Sequence, residues 1–248
     1  MSKRKTILSL FAGLAWLCLA MSARADETAP MVRGLLKPIH EATLSAEILA
    51  KIAEMPIKVG KRFKKGAVLV RFECARYKAE FDVAQAEYQA RKKTSDNNTE
   101  LATYNAVANL QVEVSNLETI KANAQMAANI AVLGTCTIVA PWDGRVVESL
   151  ANPYETSSPG KELLRILNDS VLEIEVLAPS KWLSKVKVGT PFTFSIDETG
   201  KEYSAKISAI GAKVDPVSQT VRLTGTLDNQ QGELLAGMSG GATFKISE

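Results

Sequence analysis

Histidine is almost missing from this chain. His40 is the single one, lying between Pro38 and Glu41 in a stretch that reads as linker, where a solvated loop histidine is expected. Without a second imidazole, Ser-His or Cys-His catalysis and His-rich metal sites lack their usual members. Cysteine is scarce too: Cys18, Cys74 and Cys136 stand far apart, with no C-x-x-C spacing to support redox or zinc chemistry. Met31, Met55, Met126 and Met238 are scattered, which argues against a thioether copper site. No G-x-x-x-x-G-K-[ST] occurs, so any ATP binding would belong to a partner. This inventory predicts no catalytic residues, no cofactor and no metal.

Long hydrophobic runs are also lacking, with one exception. Lys3, Arg4 and Lys5 precede an uncharged apolar stretch from Thr6 to Met21, and Ala23-Arg24-Ala25 follows as an A-x-A cleavage site. This is the layout of a secretory signal peptide over residues 1–25, too short to favour a membrane span. A retained N-terminal anchor is the other reading. Cys18 does not make a lipoprotein signal, because Leu17 precedes it where a small residue is needed. Cleavage near Ala25 predicts an exported, periplasmic product and changes its charge. Residues 1–25 hold four basic groups and no acid, leaving 26 Lys+Arg against 27 Asp+Glu. A net charge near −1 gives no basic face for nucleic acid and no cluster to hold anionic lipid. Two cysteines then remain, Cys74 and Cys136, and an even count in an oxidising compartment suggests one disulfide.

What is present is a repeat with an offset of 94 residues. Ala46 falls on Ala140, Ile52 on Val146, Glu54 on Glu148, Gly66 on Gly160, Leu69 on Leu163 and Arg71 on Arg165. Each copy reads as strand, turn and a strand entered through glycine. Neither copy, over 46–72 or 140–166, has enough chain to cover its own apolar face. The two are expected to pack on each other as a sandwich.

Between the copies, residues 75–133 have neither proline nor glycine and read as helix. Tyr77, Phe81, Ala84, Tyr88 and Arg91 form one helical stripe. Leu110, Val114, Leu117, Lys121, Ala124, Ala128 and Ala131 form a second, whose small residues suit close approach of two antiparallel helices. The reversal point has two candidates. Ser95-Asp96-Asn97-Asn98 has the better turn chemistry. A turn near Asn105 to Asn109 gives matched arms of roughly 40 Å at 1.5 Å per residue, and is preferred. Cys74 and Cys136 close this insert at its two ends, within bonding reach if the arms are antiparallel; two buried free thiols or a reactive pair are the alternatives.

From Ser170 the pattern is β. Leu172–Val176, Phe192–Ile196 and Val221–Leu227 alternate strictly, with turn-rich breaks at 197–200 and 228–232, as in a small barrel or sandwich. Pro179 to Leu183 reads as a short helix.

Several stretches resemble the HlyD-like membrane fusion protein family, the periplasmic adaptors of efflux and export pumps. Val59-Gly60-Lys61-Arg62-Phe63-Lys64-Lys65-Gly66-Ala67-Val68-Leu69 is similar to that family's first lipoyl half-motif, and Thr137-Ile138-Val139-Ala140-Pro141-Trp142-Asp143-Gly144-Arg145-Val146 to the second. Lys187–Pro191, Val214–Arg222 and Leu235–Met238 resemble its β-barrel. The resemblance implies a mainly β fold with an α-helical hairpin: a split lipoyl-like (barrel-sandwich hybrid) domain, a coiled-coil hairpin insert and a C-terminal β-barrel. The expected division is signal peptide 1–25, N-terminal linker 26–40, lipoyl-like halves 41–74 and 134–168, hairpin 75–133 and barrel 169–248. It also implies partners: an inner-membrane transporter of RND or ABC type, an outer-membrane channel, and a homo-oligomeric ring. Asn105, Ala106, Val107, Ala108 and Asn109 resemble the tip that meets the channel, although the arginine-leucine-serine signature of many such tips is missing. Cys74 stands where aspartate is usual and Ala50 where glycine is usual. The membrane-proximal domain of larger adaptors is not expected, and no lysine is placed for lipoylation. A pump-independent periplasmic binding module is the alternative function.

Overall fold

A computed structural model describes residues 31–228 and 233–245. The signal peptide and cleavage site expected over residues 1–25 lie outside the described residues.

The 94-residue repeat becomes two four-stranded sheets. The strands are β2 (Glu41–Ser45), β3 (Ala50–Glu54), β4 (Arg62–Phe63) and β5 (Val68–Phe72) before the helices, and β6 (Thr137–Val139), β7 (Gly144–Ser149), β8 (Thr156–Ser157) and β9 (Glu162–Leu167) after them. The orders are β2-β9-β7-β4 and β6-β5-β3-β8. Each sheet is thus two strands of one half flanked by two of the other, and a shift of 94 residues exchanges the sheets. Hydrogen bonds obey the same exchange. The Gly66 N–H donates to the Ala140 carbonyl and the Gly160 N–H to the Ala46 carbonyl, both at 2.8 Å. Val146 donates to Lys61, as Ile52 does to Glu155. Arg71 pairs with Glu54 and Arg165 with Glu148. Gly66 and Gly160 have φ of 80° and 83°, the left-handed turn that admits glycine most cheaply. Ile52, Leu69, Val146, Leu163 and Ile166 fill the space between the sheets.

The second domain is a closed six-stranded barrel, in the order β1-β10-β13-β12-β11-β14. Its strands are β1 (Met31–Pro38), β10 (Leu172–Pro179), β11 (Pro191–Ile196), β12 (Glu202–Asp215), β13 (Thr220–Leu227) and β14 (Ser239–Phe244). The short helix expected from Pro179 to Leu183 is a 3-10 helix, Ser180–Ser184. Inward positions alternate along each strand. Phe194, Phe244, Ile174 and Ile207 are fully buried, and the rings of Phe192 and Phe244 stack at 4.8 Å.

The linker expected over 26–40 is corrected by the structure. Met31–Pro38 is a barrel strand, paired with both β10 and β14, so it closes the barrel. Leu36 is fully buried, and Gly34 lets the chain pass Phe194 and the backbone of Glu175, where a Cβ would crowd both. Only two residues, Ile39 and His40, connect β1 to β2.

Helix α1 (Ala75–Thr103) and helix α2 (Asn109–Gly134) form the antiparallel insert. The Ser95–Asn98 reversal is excluded, because all four residues are helical and Ser95 and Asn98 face the partner helix. The α1 stripe is as expected through Tyr88 and continues through Ser95 and Asn98. The α2 stripe is not. The residues of α2 that are buried or half-buried are Val112, Ser115, Thr119, Ala122, Met126, Asn129 and Leu133. Leu110, Val114 and Leu117 point away from α1 and are exposed. The expected stripe had the right period on the wrong face.

Gly144 tests the fit between the two halves. A Cβ there would run into the Leu167 carbonyl and the Phe63 ring. Gly144→Ala is expected to lower stability by about 1–3 kcal/mol, as overpacking does. Gly160→Ala, with open space around it, should lose only the roughly 1–2 kcal/mol of a left-handed residue. Denaturant titration of both variants checks the order; a milder loss at residue 144 would contradict this account of the contact.

Candidate functional site

The hairpin is rooted by covalent and hydrogen bonds. Cys74 precedes α1 and Cys136 follows α2; their sulfurs are bonded, with Cα atoms 6.1 Å apart. The pair sits where β5 and β6 meet, with the Phe72 N–H donating to the Cys136 carbonyl. The Tyr77 hydroxyl donates to the Leu49 carbonyl, tying the first turn of α1 to the β-domain.

Along the arms the contacts become polar. Asn129 donates to the Glu80 carbonyl, Arg91 bridges Glu87 and Glu118, and Ser95 bonds Asn116 across the pair. The distal half is therefore held by few apolar contacts.

At the tip, α1 ends in a Schellman motif. The Asn105 N–H donates to Ala102 and the Ala106 N–H to Leu101, while Asn105 takes φ 54°. Asparagine is one of the few side chains that tolerates this conformation. The loop proper is Tyr104 to Ala108; Asn109, expected within the tip, is the first residue of α2. Tyr104 and Leu110 are 74 % and 70 % exposed, so the end of the hairpin presents apolar surface.

Two features of the β-domain carried no signal in the sequence. Asp143 reads as half of an Asp-Gly turn, yet its carboxylate accepts from the Lys65 backbone N–H at 2.7 Å and from the Lys64 ammonium at 3.0 Å. These bonds, the backbone one foremost, hold it below the usual carboxylate range. Asp169 lies in the connection from β9 to β10. Its carboxylate, only 5 % exposed, accepts from Arg62 at 2.9 Å and forms an ion pair with Arg145 at 3.1 Å. Arg62 and Arg145 are direct cross-strand neighbours, an unfavourable pairing of like charges that the shared carboxylate relieves. His40, in the other connection, lies against Trp142 with ring centroids 5.1 Å apart and planes tilted by 36°. Both crossings to the barrel are thus fastened to the split domain. Nothing in the sequence links residues 62, 145 and 169.

Residues 173–248 match the family model of the CusB-like β-barrel domain. A protein of Haemophilus influenzae is 26% identical over 223 residues, covering 88% of this chain and 58% of its own length. Among solved structures, a MacA–MexA chimera carrying the Pseudomonas aeruginosa MexA α-hairpin superposes with a TM-score of 0.79 at 22% identity, covering 89% of this chain and 81% of the other. The membrane fusion protein Spr0693 of Streptococcus pneumoniae R6 superposes with a TM-score of 0.75 at 19% identity, covering 89% and 100%. This is the membrane fusion protein fold. The resemblance read from the two half-motifs is borne out, and with it the fold class. The chain spans less than two thirds of the length of the curated relatives it matches. Among the described residues, no helix is long and apolar enough to cross a membrane.

Two measurements follow. Cys74→Ser/Cys136→Ser is expected to lose up to about 4 kcal/mol, since the bond closes a loop of 62 residues; an unchanged denaturation midpoint would refute that contribution. Asp143 has a depressed folded pKa, so its contribution is present above its unfolded pKa and lost as pH falls through the lower folded value. Asp143→Asn should therefore flatten the acid side of the stability–pH curve and leave its slope at neutral pH unchanged.

Proposed function

We propose that this chain is a periplasmic adaptor, joining an inner-membrane transporter of RND or ABC type to an outer-membrane channel for efflux or export of small molecules. The observation that carries this reading is the hairpin: two arms of 29 and 26 residues, rooted by a disulfide and ending in exposed Tyr104 and Leu110. Such an arm reaches roughly 40 Å from its base at 1.5 Å per residue. It offers no enclosed chemistry, but it suits contact with another protein at a distance. In this reading Asn105 to Asn109 meet the channel, and the split domain and barrel meet the transporter. Copies form a ring, so that a conduit runs through the assembly. The adaptor catalyses nothing and needs no cofactor. It works in the periplasm, peripheral to the inner membrane, after cleavage near Ala25. The fold, the signal-like start and the near-neutral charge of residues 26–248 support this reading.

A photocrosslinker at position 107 in cells is expected to capture an outer-membrane channel, and one at position 217, on the exposed β12–β13 turn, an inner-membrane protein. Capture of only inner-membrane proteins from position 107 would sink the tip assignment. Replacing Val107 by Asp should reduce export while leaving the melting temperature of the purified chain unchanged.

A further inference from the structure

The two ends of the barrel differ in charge. Asp197, Glu198, Asp228 and Glu233 lie at the end joined to the split domain. At the opposite end, the segment from Val176 to Ile196 carries three lysines and no acid. This segment covers that end. The Ser180 N–H donates to the Gln219 carbonyl, the Trp182 ring packs edge-on against Phe244 at 5.5 Å, and the Gly189 N–H donates to the Ile207 carbonyl. Trp182 and the buried Val186 join the barrel core. The residues between and beside them point outward: Lys181, Lys185 and Lys187 are exposed, and Val188 is 64 % exposed. Strand β1 starts and β14 ends at the same end, which adds Met31, 65 % exposed, and Lys245.

Lys181, Lys187 and Lys245 form no ion pair among the described residues. The nearby acids are engaged elsewhere. Asp215 accepts from the backbone N–H groups of Val217 and Ser218, and Glu175, further inside β10, pairs with Lys37 and Arg222. No single stretch of sequence announces this cluster, because the net charge is near neutral and folding assembles it from three separate segments.

We propose that this end of the barrel is a membrane-surface site, which takes the headgroups of an anionic phospholipid bilayer. The residue types favour lipid over protein. Protein interfaces are depleted in lysine and centre on packed aromatic and arginine side chains. A lysine ammonium is a compact point charge on a flexible stem, suited to phosphates that hold no fixed geometry. Leu183 and Val188 alternate with the lysines along the chain, as residues resting at headgroup level do. Met31 adds a second argument. The chain enters the barrel there, so the uncharged stretch from Thr6 to Met21 precedes this end and not the split domain. The turn holding Val217 borders this face, as contact with a transporter in the same bilayer requires. The proposal itself concerns the chain and lipid alone and does not rest on the export reading.

The test is co-sedimentation of residues 26–248, which hold every described element, with vesicles at low salt. Binding is expected to vesicles containing phosphatidylglycerol and not to phosphatidylcholine alone, and it should fall as salt rises. Each lysine near an anionic surface favours binding by about fivefold, so Lys181→Gln/Lys187→Gln/Lys245→Gln should weaken it by about a hundredfold. Lys92→Gln/Lys93→Gln/Lys121→Gln, which removes the same charge from the hairpin, should bind like the parent. The proposal is overturned if anionic vesicles are not bound, if neutral vesicles are bound equally, or if the hairpin variant loses as much as the barrel variant. In cells, a photocrosslinker at position 188 should label phospholipid. Capture of a protein there in place of lipid would give this face to a partner and overturn the proposal.

Discussion

The exchange of hydrogen bonds between the two β-halves sets most of the remaining geometry. Gly66 donates to Ala140 and Gly160 to Ala46, so each half completes the sheet begun by the other. Neither half has a fold alone, because its outer strands come from the partner half. The chain leaving β5 must therefore return beside β5 as β6, however long the excursion. That requirement makes the helical insert an antiparallel hairpin and brings Cys74 and Cys136 to one place, with the Phe72–Cys136 bond as the seam. The disulfide reinforces a closure that sheet pairing already dictates.

A similar nesting operates one level out. The barrel is closed by Met31–Pro38, from the far end of the described chain, so the split domain is itself an insertion into the barrel. Two crossings join them, at 39–40 and 168–171. Asp169 shares its carboxylate between Arg62 and Arg145, and His40 lies against Trp142. Removing water from a carboxylate is costly unless it is paired, and two guanidiniums supply the pairing. This couples the joint to the sheet that includes β4 and β7, the same sheet whose Gly144 packs against Leu167. A force applied to the hairpin therefore reaches the barrel through hydrogen-bonded β-structure rather than through a slack linker.

How far the sequence revealed this depends on the range of each interaction. The repeat was legible because exchange symmetry repeats its residue types: glycine where φ is positive, arginine opposite glutamate, apolar residues between the sheets. The helices were legible from the absence of proline and glycine. Met31–Pro38 was not, because Gly34 interrupts its alternation and only pairing with β10 and β14 gives it an inward face. The Asp169 clamp was not, because strand register places Arg62 beside Arg145 and the β9–β10 connection brings Asp169 to them. The α2 stripe was misassigned on the assumption that apolar residues face the partner helix.

The last point bears on how the hairpin works. A two-helix insert standing clear of its domain has no core beyond its seam, and helices in proteins draw most of their stability from packing of such a face. Here the seam is apolar near the base, at Tyr77, Phe81 and Leu133, turns polar at Ser95, Asn98 and Ser115, and has apolar members again beside the loop, at Leu101 and Val112. The missing apolar residues have moved to the outside of α2. Such a distribution weakens the distal hairpin in isolation and strengthens it under any helix laid along its back. The base, held by a disulfide and sheet hydrogen bonds, keeps the direction of the arm.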